Sequence, residues 1–149
     1  MYVLVRIDFR PNESVLVVRH STLKRTGEGR VNVQIVRDKG RVYAKGTRGQ
    51  PLLNNERDVL DLISFCGEHD TDRVLLFSEN LPDTFFDLKS GEAGMILQKF
   101  VNYRMKVAAI LPPSLIRGKF GDFALETNRG VRFRIFQRQD EAERWLVAD

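Results

Sequence analysis

The sequence predicts an α/β protein with a small mixed or mainly parallel sheet, helices packed on that sheet, and a β-rich N-terminal extension. Two short segments, 74–77 and 107–111, consist almost entirely of apolar residues. Strands that are apolar on both faces are typical of a sheet covered on both sides, as mainly parallel sheets are. Stretches with helical spacing of apolar residues alternate with these segments, whereas the first fifty residues carry β-branched runs broken by glycine and basic residues.

Composition limits the class of protein. The chain has 149 residues, of which 42% are hydrophobic and 30% are charged. This is ordinary globular composition, and it excludes wholesale disorder or a small disulfide scaffold. The lone cysteine, Cys66, has no partner for an internal disulfide, and two histidines, His20 and His69, are too few for a histidine-rich metal site.

The first fifty residues predict strands and turns. Alternating apolar residues in 2–9 have the period of a strand, and a turn is expected at 10–13. Further strands are expected at 15–18, 31–36 and 42–44, the last two forming a hairpin. Glycines and basic residues at 21–30 indicate a loop.

From residue 51 onward, helices alternate with strands. The first helix begins after a capping Asn55 and ends at Gly67. Its apolar face, which packs into the core, carries Val59, Leu62, Ile63 and Cys66. The second spans about 91–103, is capped by Ser90, and turns Ala93, Ile96, Leu97, Phe100 and Val101 inward. A third helix is expected at 119–128, a strand at 131–136, and a last helix whose residues 140–143 have capping-box spacing. The predicted order from residue 31 is β-β-α-β-α-β-α-β-α, which implies parallel crossovers.

Export and membrane insertion are not indicated. The N-terminal apolar residues are interrupted by Arg6, Asp8 and Arg10, whereas a signal peptide needs an unbroken run of roughly 7–15 apolar residues. The longest apolar stretches are far shorter than the roughly 20 residues of a spanning helix. We therefore expect a cytoplasmic protein with Cys66 reduced.

Four blocks of sequence resemble one known family. The stretch Phe85–Arg104, which reads FFDLKSGEAGMILQKFVNYR, resembles the signature of the bacterial domain of unknown function 4180 family. Residues 58–63, 126–130 and 140–146 follow the same pattern in order. The resemblance covers about residues 31–149, which predicts an extension at 1–30 and a family domain at 31–149. One departure is Met95, where the family pattern carries Glu.

The family implies no activity, but its element order looks like the anti-sigma-factor antagonist (STAS) fold. In those proteins a serine followed by glycine caps a helix after a buried strand and is phosphorylated by a partner kinase. Ser90 and Gly91 occupy a similar place, so the resemblance implies a phospho-switch at Ser90. An added phosphate would meet the free N–H groups of a helix start, beside Lys89. A plain helix cap is the alternative reading.

Other residues near Ser90 form a candidate partner or ligand surface. The set comprises Phe85, Phe86, Asp87, Lys89, Ser90, Gly91, Glu92, Gln98 and Asn102. Gly91 and Gly94 are poor helix formers, which predicts either close packing on the sheet or close approach of a partner backbone. At least one of the two phenylalanines is expected to fill the core beneath the loop.

We therefore expect a non-enzymatic regulatory or protein-interaction domain working through residues 79–94, with a protein partner and no cofactor or metal. Two alternatives stay open. Residues 1–50 hold eleven basic and four acidic residues, which would suit nucleic acid. Asp83, Asp87 and Glu92 would suit a small metal-dependent enzyme, although no catalytic His or Cys accompanies them.

Overall fold

The computed structural model describes residues 2–8, 16–24 and 30–148, with side chains at 21–23 and 31–148. Within these residues, seven strands form one sheet in the order of the chain. They are β1 (Tyr2–Asp8), β2 (Leu16–Lys24), β3 (Arg30–Asp38), β4 (Arg41–Gly46), β5 (Arg73–Phe77), β6 (Lys106–Ile110) and β7 (Phe133–Phe136). The helices are α1 (Glu56–Glu68), α2 (Glu92–Asn102), α3 (Gly118–Thr127) and α4 (Gln139–Val147). The α/β class and the element order predicted from residue 31 are confirmed.

The sheet is antiparallel in its first half and parallel in its second. Strands β1 to β4 form an antiparallel meander, and β4 to β7 are parallel neighbours. Each connection between these parallel strands leads to the next strand on the same side, so the chain crosses the sheet in one direction. Because such crossovers are right-handed, α1, α2 and α3 lie together on one face. Helix α4 follows the last strand and packs on the other face.

The buried apolar residues form two clusters, one on each face of the sheet, because successive side chains of a strand point to opposite faces. On the face of α1, α2 and α3, fully buried residues such as Leu62, Ile96 and Leu76 pack together. Leu23, Val31 and Val33 extend this cluster under α1, so β2 and β3 share the same core. On the other face, Tyr43, Leu75 and Ala108 pack beneath Leu146 of α4.

The predicted start of α1 is confirmed, but its predicted end is wrong. The Asn55 side chain accepts the Asp58 backbone N–H at 2.9 Å, and Asp58 in turn accepts the Asn54 N–H at 2.9 Å. The helix does not stop at Gly67 but continues to Glu68. Asp70, at φ 54°, turns the chain instead, because Asp tolerates the left-handed region.

Several other sequence-based boundaries are corrected. Residues 21–24, expected in a loop, continue β2 and pair with β3. The expected turn at 10–13 lies outside the described residues. Val131, expected in the last strand, precedes β7 and is 69% exposed. Helix α4 begins after Arg138 rather than at a capping box, and Asp140 instead pairs with Arg138 at 2.9 Å.

Helix α4 is fixed by basic residues at the amino ends of the parallel strands. Arg73 donates to the carbonyl oxygens of Leu146 and Ala148, and Lys106 donates to those of Trp145 and Ala148. These carbonyls lie in the last turn of α4 or directly after it, where a helix carries negative partial charge. The cations therefore serve as C-terminal caps.

The same region ties α4 to the sheet in two further ways. The Lys106 Nζ lies 4.6 Å from the centre of the Trp145 ring, a cation–π contact. Near the middle of the helix, the fully buried Tyr43 donates its hydroxyl to Glu143 at 3.0 Å. Lys45 lies 3.7 Å from the same carboxylate oxygen.

None of the helices within the described residues has both the length and the apolar character needed to cross a bilayer.

Candidate functional site

The candidate surface begins where β5 ends at the carboxyl edge of the sheet. Three short 3-10 turns follow, at Ser78–Asn80, Asp83–Phe86 and Leu88–Ser90. The chain then enters α2 through Gly91. The segment between β5 and α2 is thus almost continuously turned. Such a segment is held by local hydrogen bonds and can keep a defined surface shape.

Asn80 anchors the base of this segment. Its buried side chain accepts the Phe77 N–H at 2.8 Å and donates to the carbonyls of Thr47 and Gln50 at 2.9 and 2.8 Å. The backbone carbonyl of Asn80 accepts the N–H groups of Leu52 and Leu53. One asparagine thus joins the loop after β5 to the loop after β4. Sequence reasoning missed it, because nothing local distinguishes it from a surface asparagine in a turn.

Glu79 adds an exposed contact between the same two loops. It accepts the Gly49 N–H at 2.9 Å and the Ser78 hydroxyl at 2.6 Å. The hydrogen bond from Ser78, reinforced by Gly49 and Arg48, lowers the pKa of Glu79. Arg48 also lies over the Phe77 ring, 4.1 Å from its centre.

The two phenylalanines of the loop differ in burial. Phe85 is fully buried, and its ring packs edge-on against Phe86 and Phe120 at 5.4 and 5.8 Å between centres. Burying such a side chain stabilises the fold by roughly 1.5–3 kcal/mol. Phe86 is half-buried and contacts Phe120. Phe85 therefore fills the core beneath the loop, as expected for at least one of the pair, and Phe86 covers it.

Ser90 has two structural bonds. Its hydroxyl donates to the Thr84 carbonyl at 2.6 Å and accepts the Glu92 N–H at 3.1 Å. The predicted cap position is shifted by one residue, because Gly91 is the N-cap and α2 begins at Glu92. Asp87 stabilises the preceding turn by accepting the Lys89 N–H at 3.2 Å. Asp87, Lys89 and Ser90 are all exposed at the tip.

Gly91 and Gly94 are not explained by close packing on the sheet. Gly91 has φ of 79°, a left-handed conformation that favours glycine. Gly94 lies in the first turns of α2, and a Cβ placed there would meet nothing within 4 Å. A glycine in this position costs about 1 kcal/mol relative to alanine. The fold supplies no packing reason for Gly94.

The outward face of α2 continues from Gly94 along the helix. Gln98 donates to Asn102 at 2.8 Å, and both side chains are exposed. Since helical residues four apart share a face, Gly94, Gln98 and Asn102 form one exposed row. Val101, predicted to point inward, is 45% exposed beside this row. Lys99 flanks it by pairing with Glu56 of α1 at 2.9 Å.

The three acids near the start of α2 do not form a metal centre. Asp83 and Asp87 are exposed, whereas the Oε2 atom of Glu92 is buried without a hydrogen-bond partner. Among the residues that the structure describes, no three His, Cys, Asp or Glu side chains gather where they could hold a metal ion. The enzyme alternative gains no geometric support.

His69 and Cys66 belong to the fold around α1. His69 is half-buried: its ring hydrogen-bonds the Phe65 carbonyl at 2.9 Å and approaches the Ser21 hydroxyl at 3.5 Å. Cys66 is fully buried, as predicted. Burial, with a smaller contribution from the charge of Asp72, raises the pKa of Cys66 to about 12.

The basic residues of the first fifty do not all line a solvent face. Arg37, Lys39 and Arg48 are exposed, but Arg41 and Lys45 are half-buried on the face covered by α4. Lys45 is engaged with Glu143. The side chains of residues 1–20 and 24–30 lie outside the described part, so the nucleic-acid alternative stays a prediction.

Fold and site together define a mixed α/β domain with an exposed helix face beside a fixed loop at the carboxyl edge of its sheet. A family model described as Domain of unknown function (DUF4180) matches residues 38–146, and the chain belongs to this family. The match is narrower than the region of resemblance at 31–149 and begins at the last residue of β3. A search of the curated proteins found no match to the chain.

Proposed function

We propose that this protein is a non-enzymatic regulatory domain that binds a protein partner through the outward face of α2 and the turn before it. The observation that carries the proposal is Gly94. An exposed glycine weakens the start of α2, and no neighbouring atom lies where its side chain would be. A partner whose backbone approaches the helix closely at this point supplies the missing reason.

The surroundings of Gly94 suit such an approach. Gln98 and Asn102 present amide groups one and two turns further along the same row, and Val101 adds apolar surface. The strand order also favours a protein partner over a small substrate. Ligand crevices in open α/β sheets form where neighbouring connections leave to opposite faces. Here all three parallel connections lie on one face.

The test is to fill the space above Gly94. Gly94→Leu should abolish capture of specific partners from a lysate of the source cells, while the folded domain becomes slightly more stable. Gly67→Leu is the matched control, because Gly67 is also a helical glycine with nothing within 4 Å of an added Cβ. Equal capture by wild type, Gly94→Leu and Gly67→Leu would contradict the proposal.

We further propose that Ser90 regulates this surface. Phosphorylation would remove the proton that Ser90 donates to the Thr84 carbonyl and place negative charge against that oxygen. The turn at 83–90 would then loosen, whereas the bond from the Glu92 N–H would be kept. Ser90→Asp should lower partner capture more than Ser90→Ala does. If both variants capture partners as wild type does, Ser90 is a plain structural residue.

A further inference from the structure

The outer edge of β7 is closed by one side chain. Asn128, at the end of α3, accepts the Ile135 N–H at 2.7 Å and donates to the Ile135 carbonyl at 3.0 Å. Its amide makes the two bonds that a residue of a further strand would make. Edge strands expose unpaired N–H and C=O groups to other chains, and proteins block them in such ways.

Successive residues of β7 turn their backbone N–H and C=O groups alternately toward β6 and toward the outer edge of the sheet. The carbonyls of Arg132 and Phe136 accept the N–H groups of Val107 and Leu111 on the β6 side. Ile135 therefore turns its backbone groups outward, toward Asn128, and the same alternation turns those of Phe133 outward. The edge is built to pair in register with an extended segment once the Asn128 amide moves aside.

The two faces beside this edge differ in chemistry. Phe133 and Ile135 point into the apolar cluster under the helices, and Val131 continues that face with 69% of its surface exposed. Arg132 and Arg134 point to the other face, where Arg134 lies 5.4 Å from the centre of the Trp145 ring. An added strand would thus lie beside the exposed apolar side chain of Val131 on one face and beside cations on the other.

We propose that β7 is a docking edge for an extended partner segment that alternates apolar and acidic residues. Strand addition of this kind takes its affinity from main-chain hydrogen bonds and its specificity from alternate side chains. The partner backbone replaces the Asn128 amide bond for bond at Ile135, and its acidic side chains lie beside Arg132 and Arg134. A second copy of β7 fits poorly, because it would place like charges side by side. This surface is separate from the α2 face.

The probe is a labelled ten-residue peptide of alternating valine and glutamate, with an alternating valine and lysine peptide for comparison. Fluorescence anisotropy should show the glutamate peptide binding wild type at least about tenfold more tightly than the lysine peptide. Asn128→Ala, which removes the competing amide, should tighten binding of the glutamate peptide by about tenfold. Arg132→Glu should reverse the preference, whereas Lys119→Glu, an exposed reversal on α3, should leave it unchanged.

Three results would overturn the proposal. They are equal affinity for the two peptides, no binding by wild type and Asn128→Ala alike, and dimerisation of the free Asn128→Ala variant in sedimentation, which would indicate self-pairing. Circular dichroism checks that each variant folds. If Asn128→Ala does not fold, the comparison of wild type with Arg132→Glu decides the matter alone.

Discussion

Gly46, the last residue of β4, lies so close to Asn80 in the turn after β5 that only a glycine fits. A Cβ on Gly46 would lie 2.2 Å from the Asn80 Oδ1 atom. That oxygen accepts the Phe77 N–H. The contact fixes the loop after β5, and with it the base of the candidate surface.

Gly46→Ala should therefore destabilise the protein by at least about 2 kcal/mol, because the displaced Asn80 amide leaves buried backbone groups without partners. Gly94→Ala is the matched change at an open site and should stabilise the protein by up to about 1 kcal/mol. Urea unfolding followed by circular dichroism measures both. Loss of stability in both variants would show that the open space at Gly94 is misassigned.

Asn80→Asp should make stability depend on pH. The new carboxylate would face the carbonyls of Thr47 and Gln50 where the amide now donates. Burial and these oxygens disfavour the charged form, so the folded-state pKa rises above the unfolded value. The folded protein then holds a proton that the unfolded chain releases. Stability is therefore lost as pH rises from about 4 to 7 and regained on acidification, relative to wild type. An unchanged difference between the two proteins across this range would contradict the prediction.

Cys66 should be inert in the folded protein. Burial raises its pKa to about 12 from the ordinary value of 9.0, and the thiolate is the reactive form. A thiol reagent at pH 8 should modify the unfolded chain and leave the native protein unmodified.

The same shift predicts an effect of alkaline pH on stability. Above pH 9.0 the unfolded chain releases the Cys66 proton while the folded protein keeps it, until about pH 12. The unfolding free energy of wild type should then fall relative to Cys66→Ala, by up to about 1.4 kcal/mol per pH unit. Denaturant curves of the two proteins at pH 8 and pH 10 give the comparison. If the difference in unfolding free energy between wild type and Cys66→Ala is the same at both pH values, the raised pKa of Cys66 is contradicted.

Lys106→Met should loosen the end of α4. It removes the bonds to the Trp145 and Ala148 carbonyls and the contact with the ring of Trp145, the only tryptophan in the chain. We expect a loss of about 1–3 kcal/mol in stability and a shift in tryptophan fluorescence. Lys119→Met, an exposed lysine elsewhere, should change neither. A Trp145 emission spectrum identical to wild type would exclude the contact.

The pKa of Lys106 adds a pH test to this variant. Burial and then the neighbouring Arg73, Arg134 and Arg41 lower the pKa of Lys106 below 10.5. As pH rises toward 10.5, the folded protein releases this proton before the unfolded chain does. Wild type should therefore gain stability relative to Lys106→Met over that interval. A decrease in the stability of wild type relative to Lys106→Met over that interval would contradict the lowered pKa of Lys106.

Sequence patterns predicted the element order from residue 31 because each buried strand and amphipathic helix carries its own periodicity. Asn55 was identifiable as a cap because the signal is local. The chemistry of the site was harder to predict. Asn80 and Asn128 act through partners at other positions in the chain, and Lys106 caps a helix 39 residues later. Such pairings depend on the register of the sheet, which periodicity does not give. The same limit explains Val131 and Val101, apolar residues that the fold leaves outside.

The strands lie in the sheet in the same order as in the chain, and this order affects how the sheet forms during protein synthesis. Each strand of the sheet pairs with the one made just before it. During translation, each described strand after β1 therefore meets a finished neighbour as it leaves the ribosome, and none of these strands has to wait for a later segment to be inserted beside it. Growth of the sheet can keep pace with elongation, and β7 forms last among the described strands.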